Sequence, residues 1–184
     1  ILRELNHKDQ DSFENAFQNF PKEQGFEFVP AKLYSAEVNF LELLARLEDQ
    51  KVGKNLPFGF VNNSMLFAFN DNHEIVGRSS IRHSLNEFLF RVGGHIGYGL
   101  LPRYRKMGYA SEILRQSILY CRDSLKLSQM LVTCDDDNVG SIKTIEKNGG
   151  VLENKISEPG TSVLKRRYWL RDFELFFCGL IFHC

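Results

Sequence analysis

The stretch HIGYGLLPRYRKMGYASEIL, His95–Leu114, predicts a strand, a short basic loop and a helix in succession. Its strand carries Gly97 and Gly99, and glycines inside a strand often mark the close approach of another backbone. The helix is expected to begin after Gly108, and Ala110 keeps its first turn small. Because the first turn of a helix carries unpaired N–H groups and a partial positive charge, this turn is a candidate anion site. Several donors converge there, so a pyrophosphate fits the turn better than a single carboxylate.

Two common phosphate-binding motifs are excluded for this stretch. A P-loop ends in Gly-Lys-Ser/Thr, and a Rossmann turn needs glycines that the stretch lacks. The pattern Arg-x-x-Gly-x-Ala at residues 105–110 is weak on its own. Its alternative is a solvated basic helix start in which Gly108 serves only as a turn residue.

A second strand and helix follow in the sequence. The run MLVTC, Met130–Cys134, is almost wholly apolar, as expected of an interior strand. A helix is predicted from 139 to about 147, with Asn138 and Ser141 at its start and NGG at its end. If this strand is parallel to Ile96–Leu100 and the two splay apart, an extended ligand can enter and pair with the free strand edge. Coenzyme A has that form, with amides in its pantetheine arm and a pyrophosphate at the other end.

The rest of the pattern completes a mixed α/β fold. Ser64–His83 is predicted as a β-hairpin, and two amphipathic helices precede it. Ser35 is the expected N-cap of the second helix. The run LKRRYWL near the end is expected to be an edge strand. The order of elements favours a mixed, mostly antiparallel sheet with flanking helices. The apolar face of the second helix is expected to hold Val38, Leu41, Leu44, Ala45 and Leu47.

The chain shows no linker, repeat or low-complexity segment, so we expect one domain over residues 1–172. The remaining residues, 173–184, form an apolar tail in the sequence. This tail is expected to be either a buried last strand or a surface for a second copy of the chain, which makes a homodimer possible.

Charge and composition exclude several classes of protein. The 184 residues include 23 Lys and Arg against 23 Asp and Glu. Zero net charge argues against bulk binding of nucleic acid or of a membrane surface, because both need an excess of cations. The 4 cysteines form no CxxC pair and are expected to be free thiols. No signal peptide is recognised and the longest apolar run is too short to span a bilayer, so a cytoplasmic location is expected.

HIGYGLLPRYRKMGYASEIL, followed by MLVTCDDDNVGSIKTIEKNGGVLEN, resembles the GCN5-related N-acetyltransferase (GNAT) superfamily. Residues 105–110 match its Gln/Arg-x-x-Gly-x-Gly/Ala pyrophosphate loop, and Asn138-x-x-Ser141 matches its Asn-x-x-Ala/Ser motif. More narrowly, IVGRSSIRHSLNEFL with GGHIGY, and IEKNGGVLEN with RRYWL, resemble a group of bacterial predicted acetyltransferases. The resemblance implies the acyl-CoA N-acyltransferase fold, acetyl-CoA as co-substrate and no metal. The cofactor-binding residues that it implies are Leu100, Arg105, Lys106, Met107, Gly108, Tyr109, Ala110, Asn138 and Ser141.

The resemblance also implies a reaction. A primary amine of a small molecule or peptide attacks acetyl-CoA directly in a ternary complex, a base removes the amine proton, and an acid protonates the leaving thiolate. Many relatives place a tyrosine for the last step at the position of Ile145 in this chain. A catalytically silent acyl-CoA-binding sensor or a partner-binding module is therefore the alternative.

Three residues are candidates for the catalytic steps. His95 has an intrinsic pKa suited to a base near neutral pH, and its equal alternative is a hydrogen bond at the strand end. Glu87 is a second candidate base, beside His83, and its alternative is an ion pair with Arg82. Tyr98 is the candidate acid, and its alternative is a packed aromatic side chain.

Two polar runs are interpreted structurally. Asp135–Asp137 are expected to cap a helix and to favour its N-terminus, not to bind a metal, because consecutive side chains point in different directions. The run KRRYW suggests a nucleic-acid patch. On a strand, however, Lys165 and Arg167 face away from Arg166, which weakens the patch.

Overall fold

A computed structural model describes residues 1–21, 27–30, 33–35, 37–158 and 160–171. The predicted apolar tail at 173–184, with Cys178 and Cys184, lies outside the described residues, so the interpretations of that tail stay predictions. The single domain over 1–172 also stays a prediction.

The order of helices and strands follows the sequence pattern closely. The predicted hairpin is confirmed, and α4 has the predicted bounds. A π-helical turn, Leu89–Gly93, precedes β4, and a 3-10 turn, Pro102–Tyr104, follows it. The elements are β1 Leu2–Arg3, α1 Gln10–Asn19, α2 Phe40–Val52, β2 Asn63–Phe69, β3 Ile75–Arg82, β4 Ile96–Leu100, α3 Tyr109–Asp123, β5 Gln129–Asp135, α4 Val139–Lys147, β6 Val151–Ser157 and β7 Leu164–Arg171.

The strands form two antiparallel sheets that meet at one place. The first sheet has four strands in the order β1-β2-β3-β4, and the second has three in the order β5-β7-β6. Strand β4 ends the first sheet and β5 ends the second. These two end strands lie next to each other but pair only beside His95 and Leu131. The fold is therefore mixed α/β, as predicted, with a split between β4 and β5.

Helices cover both faces of the first sheet. On the α1/α2 face, Phe13 and Leu43 pack against Phe67 of β2, and all three are fully buried. On the opposite face, Leu114 of α3 packs with Ile81 of β3, again fully buried. The predicted buried free thiols are confirmed for Cys121 and Cys134. None of the helices in the described part of the chain has the length and apolar character that crossing a bilayer requires.

Helix α2 differs from the prediction in its start and in its face. The side chain of Asn39 caps it by accepting a hydrogen bond from Glu42 N–H at 2.9 Å, so the expected cap at Ser35 is wrong. Its buried residues are Phe40 and Leu43, whereas Leu41 is 67% exposed. The helix begins four residues later than the cap prediction requires because Asn39, not Ser35, supplies the capping oxygen.

Two further predictions, the helix cap at Asp135–Asp137 and the edge position of the last strand, are wrong. Asp135 and Asp136 do not cap α4, because they pair with Lys165 and Arg166 of β7, and Asn138 caps the helix instead. Strand β7 lies in the centre of its sheet, not at an edge. Among the described residues no cluster of His, Cys, Asp and Glu has the arrangement of a metal site.

The face of α2 can be tested by two truncations on the same helix. Leu43→Ala removes a fully buried side chain and is expected to lower the free energy of unfolding by about 2–5 kcal/mol. Leu41→Ala, at an exposed position, should change it by less than about 0.5 kcal/mol. Urea unfolding followed by circular dichroism measures both, and equal losses would contradict the observed face.

Candidate functional site

The candidate site starts where β4 and β5 separate. His95 N–H donates to Leu131 O at 2.7 Å, and Leu131 N–H donates to His95 Nδ1 at 2.9 Å. Beyond this junction, β4 pairs with β3 alone and β5 with β7 alone. The N–H and C=O groups of β4 that point away from β3 therefore face the gap.

Gly94 lets the two backbones meet at the junction. Its φ is +65°, and a Cβ on it would lie 2.7 Å from Leu131 O. Any larger residue would be strained and would push β5 away. The π-helical turn before Gly94 is held to β5 as well, because Thr133 Oγ1 donates to Val92 O at 2.7 Å.

A cradle of backbone N–H groups lies at the other end of β4, before α3. Gly108 has a φ of +88°, and nothing lies within 4 Å of a Cβ placed on it. Lys106 is also left-handed, with a φ of +63°. Within the described chain, no group accepts a hydrogen bond from the backbone N–H groups of residues 106–111. Unpaired donors at the start of a 15-residue helix, with open space above a glycine, fit a pyrophosphate.

The side chains around this cradle are mostly exposed. Met107 is 64% exposed, and Arg103 lies over the ring of Tyr104 with its guanidinium carbon 4.8 Å from the centroid. Tyr109 meets Tyr104 edge-on at 5.8 Å. Arg105 and Lys106 are exposed as well. The cradle is therefore built by backbone groups, with cations at its rim. Leu100 and Ala110 complete the predicted set on this side, at the last residue of β4 and in the first turn of α3.

The opposite wall of the gap is the start of α4. Asn138 Oδ1 accepts from Ser141 N–H at 3.0 Å, so this side chain caps the helix. Tyr98 of β4 reaches across, and its hydroxyl donates to Ser141 O at 3.5 Å. Burial raises the pKa of Tyr98 to about 12. Tyr98 is therefore a neutral hydrogen-bond donor between β4 and α4.

His95 is buried and its imidazole is engaged at the junction. Burial, with the nearby Arg82 cation, lowers the pKa of His95 to about 4, so the ring is neutral near pH 7. Because Nδ1 accepts from Leu131 N–H, the proton of the neutral ring is on Nε2. Neither nitrogen then offers a free lone pair. The role of His95 as a base stays a prediction, and this hydrogen bond counts against it.

Glu87 and His83 lie apart from the junction. Glu87 is exposed in the turn before the π-helical segment, and no ion pair joins it to Arg82. His83 Nε2 is 2.8 Å from Ser64 Oγ, which also contacts Tyr120 of α3. The alternative for Glu87, an ion pair with Arg82, is therefore wrong, and the role of Glu87 as a base stays a prediction.

Ile145, at the position where many relatives carry a tyrosine, does not face the gap between β4 and β5. Ile145 is fully buried in the core beneath α4, and a Cβ on Gly150 would lie 2.4 Å from its Cγ2. The side chain contributes to packing only.

The two arginines of β3, Arg78 and Arg82, are a feature of the site that the sequence analysis missed. Both lie beside Gly97 on the α1/α2 face. The available signal was the alternation of Arg78, Ser80 and Arg82 in an otherwise buried strand, which places polar side chains on one face.

Comparison with known proteins agrees with this geometry. A family model described as an acetyltransferase (GNAT) domain matches residues 1–151. The chain belongs to the GNAT acetyltransferase family. It is 30% identical over 122 residues to an uncharacterized N-acetyltransferase, YjdG, of Bacillus subtilis (strain 168), covering 65% of this chain and 68% of that protein. The GNAT chain described here is accordingly an acyltransferase, of a family that uses acetyl-CoA.

Two solved structures show the same fold. The ribosomal-protein-S5-alanine acetyltransferase from Vibrio fischeri superposes with a TM-score of 0.66 at 19% identity, covering 94% of this chain and 93% of the other. A chimera of the spermidine N-acetyltransferase SpeG from Vibrio cholerae and hSSAT has a TM-score of 0.61 at 15% identity, covering 93% and 96%. These likenesses concern the fold alone.

The pH dependence of stability tests the state of His95. Its pKa is lowered in the fold, so the unfolded chain binds the proton first as the pH falls, and stability is lost from about pH 6.5 down to about pH 4. The loss from this group is on the order of 3 kcal/mol. His95→Asn keeps an acceptor near the Nδ1 position and removes the titration. Denaturant melts between pH 7.5 and 5 should show a steeper loss for the wild type, and parallel profiles would contradict this account.

Proposed function

We propose that the protein transfers an acetyl group from acetyl-CoA to a primary amine of a small molecule or peptide, by direct attack in a ternary complex. The observation that carries the proposal is the cradle of unpaired N–H groups at residues 106–111, one strand length from the place where β4 and β5 separate. Acetyl-CoA, when bound, supplies an acyl group activated as a thioester.

The chain's own groups then have separate roles. The amides of residues 106–110 bind the pyrophosphate, with Arg105 and Lys106 adding charge at the rim. The free edge of Ile96–Leu100 binds the amides of the pantetheine arm, as an added strand would. Five residues of strand span about 17 Å, which brings the acyl group from the cradle to the His95 junction.

Proton movements involve groups near that junction. Tyr98 is neutral and its hydroxyl makes a long hydrogen bond, to Ser141 O at 3.5 Å, which supports a role in which it turns to donate to the leaving thiolate. Glu87 and His95 remain the candidate bases. Glu87 would act through water, and His95 only after Nδ1 releases the Leu131 N–H. The alternative function, a silent acyl-CoA-binding module, keeps the cradle and omits these steps.

Turnover separates the two functions. Purified protein with acetyl-CoA and a panel of primary amines should release free thiol and acetylated amine in equal amounts. Calorimetry with acetyl-CoA alone should give a heat of binding. Heat without turnover on any amine would favour the silent module, and no heat together with no thermal protection would overturn both functions.

The cradle can be tested with a matched pair of glycine variants. Gly108→Trp and Gly149→Trp both place a side chain at a positive φ with open space around it, so each should cost about 1–2 kcal/mol of stability. Only Gly108→Trp blocks the approach to the amides of residues 106–111, and it should weaken acetyl-CoA binding at least about 10-fold. Calorimetry measures the affinity. Equal affinities for the two variants would show that the pyrophosphate lies elsewhere.

A further inference from the structure

Three polar residues of β3 share one face of the sheet. Ser117 of α3 donates to Ser79 at 2.8 Å, which fixes Ser79 on the α3 face. Because side chains alternate along a strand, Arg78, Ser80 and Arg82 lie on the α1/α2 face.

The arginines border a part of β4 that has no side chain. A Cβ on Gly97 would lie 3.0 Å from Arg82 Nη1. Arg78 Nη1 donates to Gly97 O at 3.3 Å. Among the described residues, Arg82 Nη1 makes one long hydrogen bond of its own, to Gly93 O at 3.5 Å. The two guanidinium groups therefore flank one glycine of the site strand.

The charge of Arg82 is not balanced inside the described part of the protein. No carboxylate there forms an ion pair with Arg82. Burial lowers the pKa of Arg82, and burial together with Arg82 lowers the pKa of Arg78 to about 9, although Glu27 opposes the second effect. A desolvated cation such as Arg82, with no carboxylate beside it among the described residues, destabilises a fold, and a bound anion offsets that cost.

Arg82 lies opposite the place where the acyl group is proposed to bind. Its backbone N–H donates to His95 O at 2.8 Å, and His95 N–H donates to Leu131 O at 2.7 Å. Its guanidinium reaches back to Gly93 O, two residues before His95, so a group held by the guanidinium lies near the junction.

We propose that the acceptor amine carries an anionic group, a carboxylate or a phosphate, which binds the guanidinium of Arg82; this inference rests on the proposed acetyl transfer. Arginine binds both kinds of anion through two parallel hydrogen bonds. Polyamines are disfavoured, because two cations already flank the site.

Paired substrates test the proposal in the full-length protein. The values of kcat/KM are measured for the twenty amino acids and their carboxamides, for 2-aminoethyl phosphate and its neutral parent ethanolamine, and for spermidine. We expect the best acceptor to be an anionic amine, favoured about 10- to 100-fold over its neutral counterpart. If an amino acid has the highest kcat/KM, the bound anion is a carboxylate; if 2-aminoethyl phosphate has it, the bound anion is a phosphate. A neutral amine or spermidine as best acceptor would overturn the proposal.

Three variants assign the preference to Arg82. Arg82→Gln should reduce it to less than about 3-fold, whereas Arg82→Lys, which keeps the charge, should retain part of it. Arg91→Gln removes an exposed arginine from the neighbouring turn and should leave the preference unchanged. A preference that survives Arg82→Gln, or that falls equally in Arg91→Gln, contradicts a contact with Arg82.

A binding measurement distinguishes this inference from the proposed function. The Nε–H resonance of Arg82, assigned with Arg82→Lys, is followed by NMR while the same amines are added without acetyl-CoA and in the presence of coenzyme A. Anionic amines should shift the resonance and carboxamides should not. A shift without turnover would overturn acetyl transfer but support anion binding, and no shift by any anionic amine would overturn the inference even where turnover occurs.

Discussion

The hydrogen bonds between His95 and Leu131 join the two sheets and also end their pairing. In a continuous ladder, Leu131 N–H would donate to a backbone carbonyl of β4. Here it donates to His95 Nδ1, so a side chain takes the place of the next backbone acceptor. The ladder cannot continue past that point, and β4 and β5 diverge. Gly94, at a positive φ against Leu131 O, makes the contact possible.

The divergence leaves β4 with an unpaired edge, a feature that folded proteins usually cover or block. The two sheets tolerate it because buried cores hold them on both faces of the first sheet. Phe67 lies in the core on the α1/α2 face, and Ile81 of the first sheet shares a second core with Tyr168 of the second sheet. Packing on both sides holds the strands in place without hydrogen bonds across the gap. The gap can then exist before any ligand enters it, which reduces the cost of ordering on binding.

Local patterns predicted the elements that build the site, but tertiary partners decided the rest. The glycine-bearing strand, the basic turn and the start of α4 at Asn138 follow from short motifs, since turn and cap chemistry is local. Ser35 and Asn39 are equally good caps by sequence, and only packing of Phe40 and Leu43 selects between them. The hydrogen-bond partner of the His95 ring, Leu131, lies 36 residues away in the chain and has no local signal at all.

The absence of a tyrosine at Ile145 shifts the chemistry toward positioning and electrostatics. Tyr98, with a pKa of about 12, is a weaker acid than a thiol, whose ordinary pKa is about 8.5. Full proton transfer from Tyr98 to the thiolate is therefore uphill by several kcal/mol, whereas a hydrogen bond to the thiolate is not. Under the proposed reaction, a thiolate that leaves unprotonated would need fixed donors nearby, and the start of α4 beside Tyr98 is the candidate for them. Under the proposed reaction the amine depends on positioning as well, because His95 is neutral and its Nδ1 is occupied.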